Sequence, residues 1–230
     1  MSTTKLAYSQ QLLLQRMLSE HILTDEEAKA LFADITQTCN NAQDSQSQSQ
    51  LNTNTDQSLE ACIGTINSAI VPLLQIEICT IIMPKGGVNV RYHGVVNKMA
   101  DDAAKLYAAP GRTVHEVALF RLLLERIVAS ENDVQEDEVD SSNGVGCSGY
   151  VAVNDAVGLR LELKGAHRNK LTATQADAAI GGFLREKWLA RKQSGRNIFV
   201  AVGPRTYMEL PDLLTDLGVE RLPQIIVNRR

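Results

Sequence analysis

Thr172-Ala173-Thr174-Gln175-Ala176-Asp177-Ala178-Ala179-Ile180-Gly181-Gly182-Phe183-Leu184-Arg185-Glu186-Lys187, then Trp188-Leu189-Ala190, a basic turn and Ile198-Phe199-Val200-Ala201-Val202, decides how this 230-residue chain is built. Ala179, Ile180, Phe183 and Leu184 recur at helical spacing, and Gln175, Asp177, Arg185 and Lys187 can face outward, which predicts a surface helix over 172–187. Lys192-Gln193-Ser194-Gly195-Arg196 is a polar, glycine-containing turn between two apolar runs and reads as a hairpin tip. A helix followed by a two-stranded wing is the build of a winged helix-turn-helix. Phe183, Leu184, Trp188 and Leu189 are the expected core of this module, with Trp188 holding the wing rather than stacking on a base.

The same order can be read near the start. Leu12, Leu13, Leu14, Met17 and Leu18 form an apolar stripe over Tyr8–Ser19, with His21 flanking the helix end. Thr24 and Glu27 have capping-box spacing and predict a second helix from Asp25 to about Thr38, burying Ala28, Leu31, Phe32 and Ile35. Asn40 to Gln57 is dominated by polar residues, too few of them apolar to offset the entropy of ordering, and reads as a mobile insertion. A third helix follows from Leu59 to Val71 through Ile63, Ile66 and Ile70, with Pro72 expected to interrupt it. Ile76–Met83 and Val88–Val95 then pair as strands around Pro84-Lys85-Gly86-Gly87.

Val96 to Ala109 is transitional and Pro110-Gly111 marks a break. The helix predicted over Thr113–Ala129 carries Val117, Leu119, Phe120, Leu123, Leu124 and Ile127, enough for a core element. Glu131 to Asn143 is an acidic, exposed loop, and a shorter helix is expected from Tyr150 to about Leu159. The fold class is therefore α+β, mostly helical, with tandem winged-helix domains that each carry a short β-hairpin. The first spans 1–109 with its insertion near 40–57, and the second spans 110–230 with its acidic loop near 131–143.

The net charge of −4 averages two unlike parts. Residues 160–230 carry 13 Lys or Arg against 7 Asp or Glu, while the preceding residues carry 10 against 20. A basic terminal third can meet a polyanion or an acidic protein face. Arg185, Lys187, Arg191, Lys192 and Arg196 are the candidate DNA contacts, at the end of a helix and along its wing. A solvated surface and a protein interface are the other readings of the same charges. Gln175 is the lone base-reading candidate on the helix, so any DNA contact is expected to be salt-sensitive and weakly sequence-selective.

Cys39, Cys62, Cys79 and Cys147 lack the paired spacing of zinc ligands, so no metal or other cofactor is expected in this chain. Without a secretory start, a reducing intracellular compartment is expected. No stretch reaches the roughly 20 apolar residues that cross a bilayer, so no membrane partner is expected. Cys147 with His115 and His167 is a weak nucleophile signal, and Gly144-Val145-Gly146-Cys147-Ser148-Gly149 lacks the lysine and hydroxyl of a phosphate loop. No catalytic residue is assigned. Tyr207 is expected to pack or join an interface, and Arg205 to be free to meet solvent or a partner.

Phe183-Leu184-Arg185-Glu186-Lys187-Trp188-Leu189, Gly203-Pro204-Arg205-Thr206-Tyr207-Met208-Glu209-Leu210 and Gln11-Leu12-Leu13-Leu14-Gln15-Arg16-Met17-Leu18 together resemble the first non-SMC element subunit of the SMC five-six chromosome-maintenance and DNA-repair complex. The resemblance implies tandem winged-helix domains followed by a variant RING, a MAGE-family partner, a kleisin partner, possible duplex DNA mainly within the complex, and a nuclear, chromosome-associated location. It also implies ubiquitin transfer, with zinc and a ubiquitin-conjugating enzyme, in a longer protein. The paired Cys and His ligands of that RING have no counterpart here, so this chain resembles the scaffold region and is not expected to be an enzyme. Leu12, Leu13 and Met17 are the candidate partner interface under this resemblance.

Overall fold

The computed structural model describes residues 5–44, 58–85, 88–98, 105, 112–131, 147 and 149–228. The chain divides into two compact units, residues 1–99 with 225–230, and residues 100–224. Each contains helices and an antiparallel hairpin, the tandem winged-helix α+β architecture.

In the first unit, α1 (Tyr8–Glu20), β1 (Ile22–Thr24), α2 (Asp25–Asp44) and α3 (Leu59–Leu74) precede the hairpin of β2 (Ile76–Lys85) and β3 (Val88–Asn97). The capping box at the start of α2 forms as its spacing predicts. Thr24 donates its backbone N–H to Glu27 Oε2 at 2.7 Å, and the Glu27 N–H donates to Thr24 Oγ1 at 3.2 Å. Residues 40–44, read as part of the polar insertion, instead continue α2, while 45–57 lie outside the described residues. Pro72 does not interrupt α3. It sits two residues before the end of the helix, and Gln75 ends the helix at φ 56° with its N–H on the Val71 carbonyl.

In this unit two strands escaped the sequence reading. His21 leaves α1 at φ 61°, and Ile22–Thr24 then lies antiparallel to β3, so the segment read as a helix end is an edge strand. At the other edge β7 (Ile225–Val227) pairs with β2, giving the sheet order β1-β3-β2-β7. Residues 225–230, assigned from sequence to the second domain, thus belong to the first unit. The sheet covers a core that includes Leu13, Met17, Ala28, Ile63, Ile66 and Ile78. Its buried polar groups are paired. Asn67 accepts the Ile78 N–H at 2.8 Å and donates to the carbonyls of Ile78 and Asn228 at 2.9 and 3.0 Å. His93 lies between Thr80 Oγ1 and Asp25 Oδ1, at 3.0 Å from each.

The second unit contains α4 (Val114–Glu131), β4 (Val151–Ala152), α5 (Val153–Gly158), two 3₁₀ turns at Leu159–Leu161 and Gly165–His167, α6 (Ala173–Arg185), β5 (Leu189–Ser194), β6 (Asn197–Val202), α7 (Pro204–Glu209) and α8 (Pro211–Asp216). Tyr150, expected to open a helix, instead lies before β4 with its ring edge-on to Phe199 at 4.8 Å between centroids. Thr113 with Glu116, and Thr172 with Gln175, form reciprocal capping boxes that set the starts of α4 and α6. The sheet order is β4-β6-β5, and the Gly195-Arg196 turn places Gly195 at φ 58°, a backbone conformation natural to glycine. Pro110-Gly111 and residues 132–143 of the acidic loop lie outside the described residues, as does most of the Gly144–Gly149 run.

Candidate interaction surfaces

The helix-to-wing junction is set by two short motifs that meet in space. Trp188, 1% exposed, follows α6 and packs its ring against Phe120 at 5.9 Å between centroids, while Phe120 packs on Phe183 at 4.6 Å. Gly203, at the start of α7, sits directly on the Trp188 backbone. A Cβ there would come within 2.3 Å of the Lys187 carbonyl oxygen, so only glycine fits without displacing main chain. The Gly203 N–H donates to the Trp188 carbonyl at 2.9 Å, the Arg205 N–H donates to the Lys187 carbonyl at 3.1 Å, and Thr206 Oγ1 donates to the Trp188 carbonyl at 2.5 Å.

Arg205 is not free for a partner. It is 6% exposed, its guanidinium lies 4.2 Å from the Trp188 ring centroid, and its Nε donates to Glu209 Oε1 at 2.6 Å. Glu186 joins the cluster from the end of α6, paired with Arg112, whose guanidinium covers Phe183 at 4.3 Å. Burial pushes the Glu209 carboxyl above its ordinary range, against the opposing pull of Arg205 and Lys105. Tyr207 is buried, and its hydroxyl accepts the Cys147 N–H at 2.7 Å. Phe183 and Leu189 are buried with Trp188, and Leu184 is half-buried.

Among the five candidate DNA contacts, Arg185, Arg191, Lys192 and Arg196 are exposed, at the end of α6 and along the wing. Lys192 spreads over the Tyr150 ring with its Nζ 4.2 Å from the centroid, which holds its stem against the sheet while leaving charge at the surface. Lys187 differs. The helical spacing extends to it, but it lies beyond the helix at φ 61°, half-buried, its carbonyl taken by Arg205. Gln175 is likewise committed, because its side chain accepts the Thr172 N–H at 2.9 Å in the capping box. The sequence reading passed over Lys164, Arg168 and Lys170, three exposed bases in the turn just before α6. Three bases within seven residues and no acid among them were the available signal.

On α1 the assignment of an interface to Leu13 and Met17 is corrected. They are 0% and 1% exposed and form part of the unit's own core, and Leu12 is half-buried against it. The outward stripe is Tyr8, Gln11, Gln15 and Leu18, with Tyr8 69% exposed. The stripe was missed because a run of adjacent leucines does not reveal which helix face the rest of the fold covers.

Of the reactive side chains, His115 and His167 come together with their Nδ1 atoms 3.0 Å apart, while Cys147 is held through its backbone by Tyr207. Among the described residues no group of three or more His, Cys, Asp or Glu side chains is arranged to hold a metal ion, and no helix is long and apolar enough to cross a membrane.

The sequence pattern of the family described as the Nse1 non-SMC component of SMC5-6 complex matches residues 10–210. The chain belongs to this family. The match spans both units and includes the Trp188 and Gly203 motifs that interlock at the wing. A solved chain from a structure titled "Nse1-Nse3-Nse4 complex" superposes with a TM-score of 0.61 at 21% sequence identity, over 90% of this chain and 73% of that one. At that identity the likeness speaks to the fold. Comparison with curated protein sequences finds no match.

Proposed function

We propose that this family member is a scaffold subunit of a chromosome-maintenance and DNA-repair complex in the nucleus, holding a MAGE-family subunit and a kleisin and supporting their engagement of DNA. The observation that carries the proposal is the family match across both winged-helix units, in a fold whose solved relative comes from a three-component Nse1-Nse3-Nse4 assembly. The outer stripe of α1 supplies the contact with the MAGE-family partner. Tyr8 and Leu18 expose apolar surface there, with Gln11 and Gln15 between them to supply hydrogen bonds. Co-expression with the MAGE-family and kleisin subunits should yield a stable ternary complex. The double variant Tyr8→Asp with Leu18→Asp should stay folded and lose affinity at least tenfold. Full retention of the complex by that variant would move the interface elsewhere, and failure of the wild type to assemble would reject the scaffold role.

A second reading, direct binding of duplex DNA, is favoured by one observation: Arg185, Arg191, Lys192 and Arg196 stand exposed around one end of α6 and its wing. Contacts of this kind go to phosphates, so affinity should fall steeply with salt and depend little on sequence. Binding that ignores ionic strength, or that survives charge reversal at Arg191 and Arg196, would rule it out.

A further inference from the structure

We propose that the outer face of the second unit's sheet is a stacking platform for single-stranded nucleic acid. The strand register settles which residues share that face. Val151 pairs with Val200 and both are buried, so the residues beside them along each strand point the other way. Lys192 of β5 lies opposite Phe199 of β6, which lies opposite Ala152 of β4, with Tyr150 just before that strand. Ala190 and Ala201 form the next row. The two aromatic residues and the three alanines are half-buried, and Lys192 is exposed.

A ring face and a set of charges meet there. Tyr150 and Phe199 stand edge-on with centroids 4.8 Å apart, so the two rings do not close on each other face to face. The flexible head of Lys192 lies over the face of Tyr150, its Nζ 4.2 Å from the centroid. A nucleobase stacked on an aromatic ring is held more firmly than an exposed ammonium above one, so a base displaces the lysine head. The freed head is then placed to meet the neighbouring phosphate. The alanines beside the rings have no side chain long enough to block a flat base. The hairpin, residues 189–202, adds Arg191 and Arg196, both exposed, and carries no Asp or Glu.

The ligand is a single strand because a duplex keeps its bases in its own stack and gives an exposed aromatic face nothing to hold. Duplex DNA meets the wing through phosphates, using the arginines without Tyr150, so the platform goes beyond that reading while sharing its charges. An acidic protein segment would likewise use the charges and not the ring. Every base has a face to stack, so preference among sequences is small.

The test titrates the full chain into labelled oligothymidylate of about 15 nucleotides, into a strand of the same backbone without bases, and into a duplex of that length, read by fluorescence anisotropy. The strand with bases should bind at least about fivefold tighter than the strand without them. Its log affinity should fall against log salt with a slope of about −2, the value for three phosphate contacts on a single strand. Tyr150→Leu keeps apolar bulk and removes the ring face, and Phe199→Leu does the same beside it. Each should weaken the oligothymidylate by about fivefold or more and leave duplex affinity unchanged, which separates failure of the platform from failure of the duplex reading. Lys192→Ala should flatten the single-strand slope by about 0.7. The matching oligouridylate tells RNA from DNA, and binding of either that depends on Tyr150 supports the platform. If Tyr150→Leu fails to fold, the wild-type preference for the strand with bases and the Phe199→Leu variant decide. Equal affinity for the two strands, unchanged affinity in both ring variants, or an equal loss of duplex or polyglutamate binding in those variants would overturn the proposal.

Discussion

The two hairpins of this chain have the same place in their units and are held by different chemistry. In the first unit, ten-residue strands form the middle of a four-stranded sheet, and hydrogen bonds tie it to the helices: Asn67 of α3 reads the backbone of β2, and His93 of β3 reaches the first residue of α2. In the second, six-residue strands are anchored at one end by Trp188, with Arg205 over its ring and Gly203 against its backbone. A long hairpin has enough cross-strand register and flanking strands to be held along its length. A short one depends on a single well-packed corner.

Trp188→Ala should have the largest effect, and on the second unit alone. Removing an enclosed aromatic costs roughly 3–5 kcal/mol, so hydrogen exchange should accelerate across α6 and the second hairpin while the first hairpin keeps its protection. An equal loss in both units would show that the corner is not local. Gly203→Ala tests the same corner through the backbone. The added methyl meets the Lys187 carbonyl oxygen at 2.3 Å, and the forced shift should cost about 1–3 kcal/mol in thermal or denaturant unfolding.

In the first unit the corresponding change is Asn67→Ala. It strands the buried Ile78 N–H and releases the carbonyl of Asn228, so the expected cost is roughly 1–3 kcal/mol, with exchange rising first where β7 meets β2. If β7 stays protected, Asn67 is not what holds the final strand.

The smallest expected effect is on pH dependence, where the two units should slope in opposite directions. Burial alone would raise the Asp25 carboxyl, but hydrogen bonds and charge from His93 and Lys29 outweigh it and hold the group below its ordinary value of 3.8. A lowered carboxyl contributes stability above its unfolded pKa and loses it as pH falls through the folded one, here below about 3.9. Glu209 is raised above 4.5, so its protonated form favours folding and that contribution is lost as pH climbs through its folded value. Asp25→Asn should flatten the acid limb of the first unit by less than about 1 kcal/mol, since the carboxylate is partly exposed and screened. The check is unit-resolved hydrogen exchange between pH 3 and 6.

Features that depend on residues a few positions apart are legible in the chain alone. Thr24 with Glu27 and Thr172 with Gln175 set helix starts because a capping box closes within one turn. Helical periodicity placed Ile63, Ile66, Phe120 and Phe183 in cores, and the glycine-containing turn marked the second wing, because both signals are local. Which face of α1 is covered, the return of Ile225–Val227 to β2, the stacking of Arg205 on Trp188 and the meeting of His115 with His167 emerge only from packing. Leu13, Met17, Tyr8 and Leu18 all sit on one amphipathic helix, and no local energy separates the inner face from the outer until other elements pack against it. A long-range pair or a returning strand likewise leaves no periodic trace, because its stabilisation arises only when distant segments are brought together by the core they share.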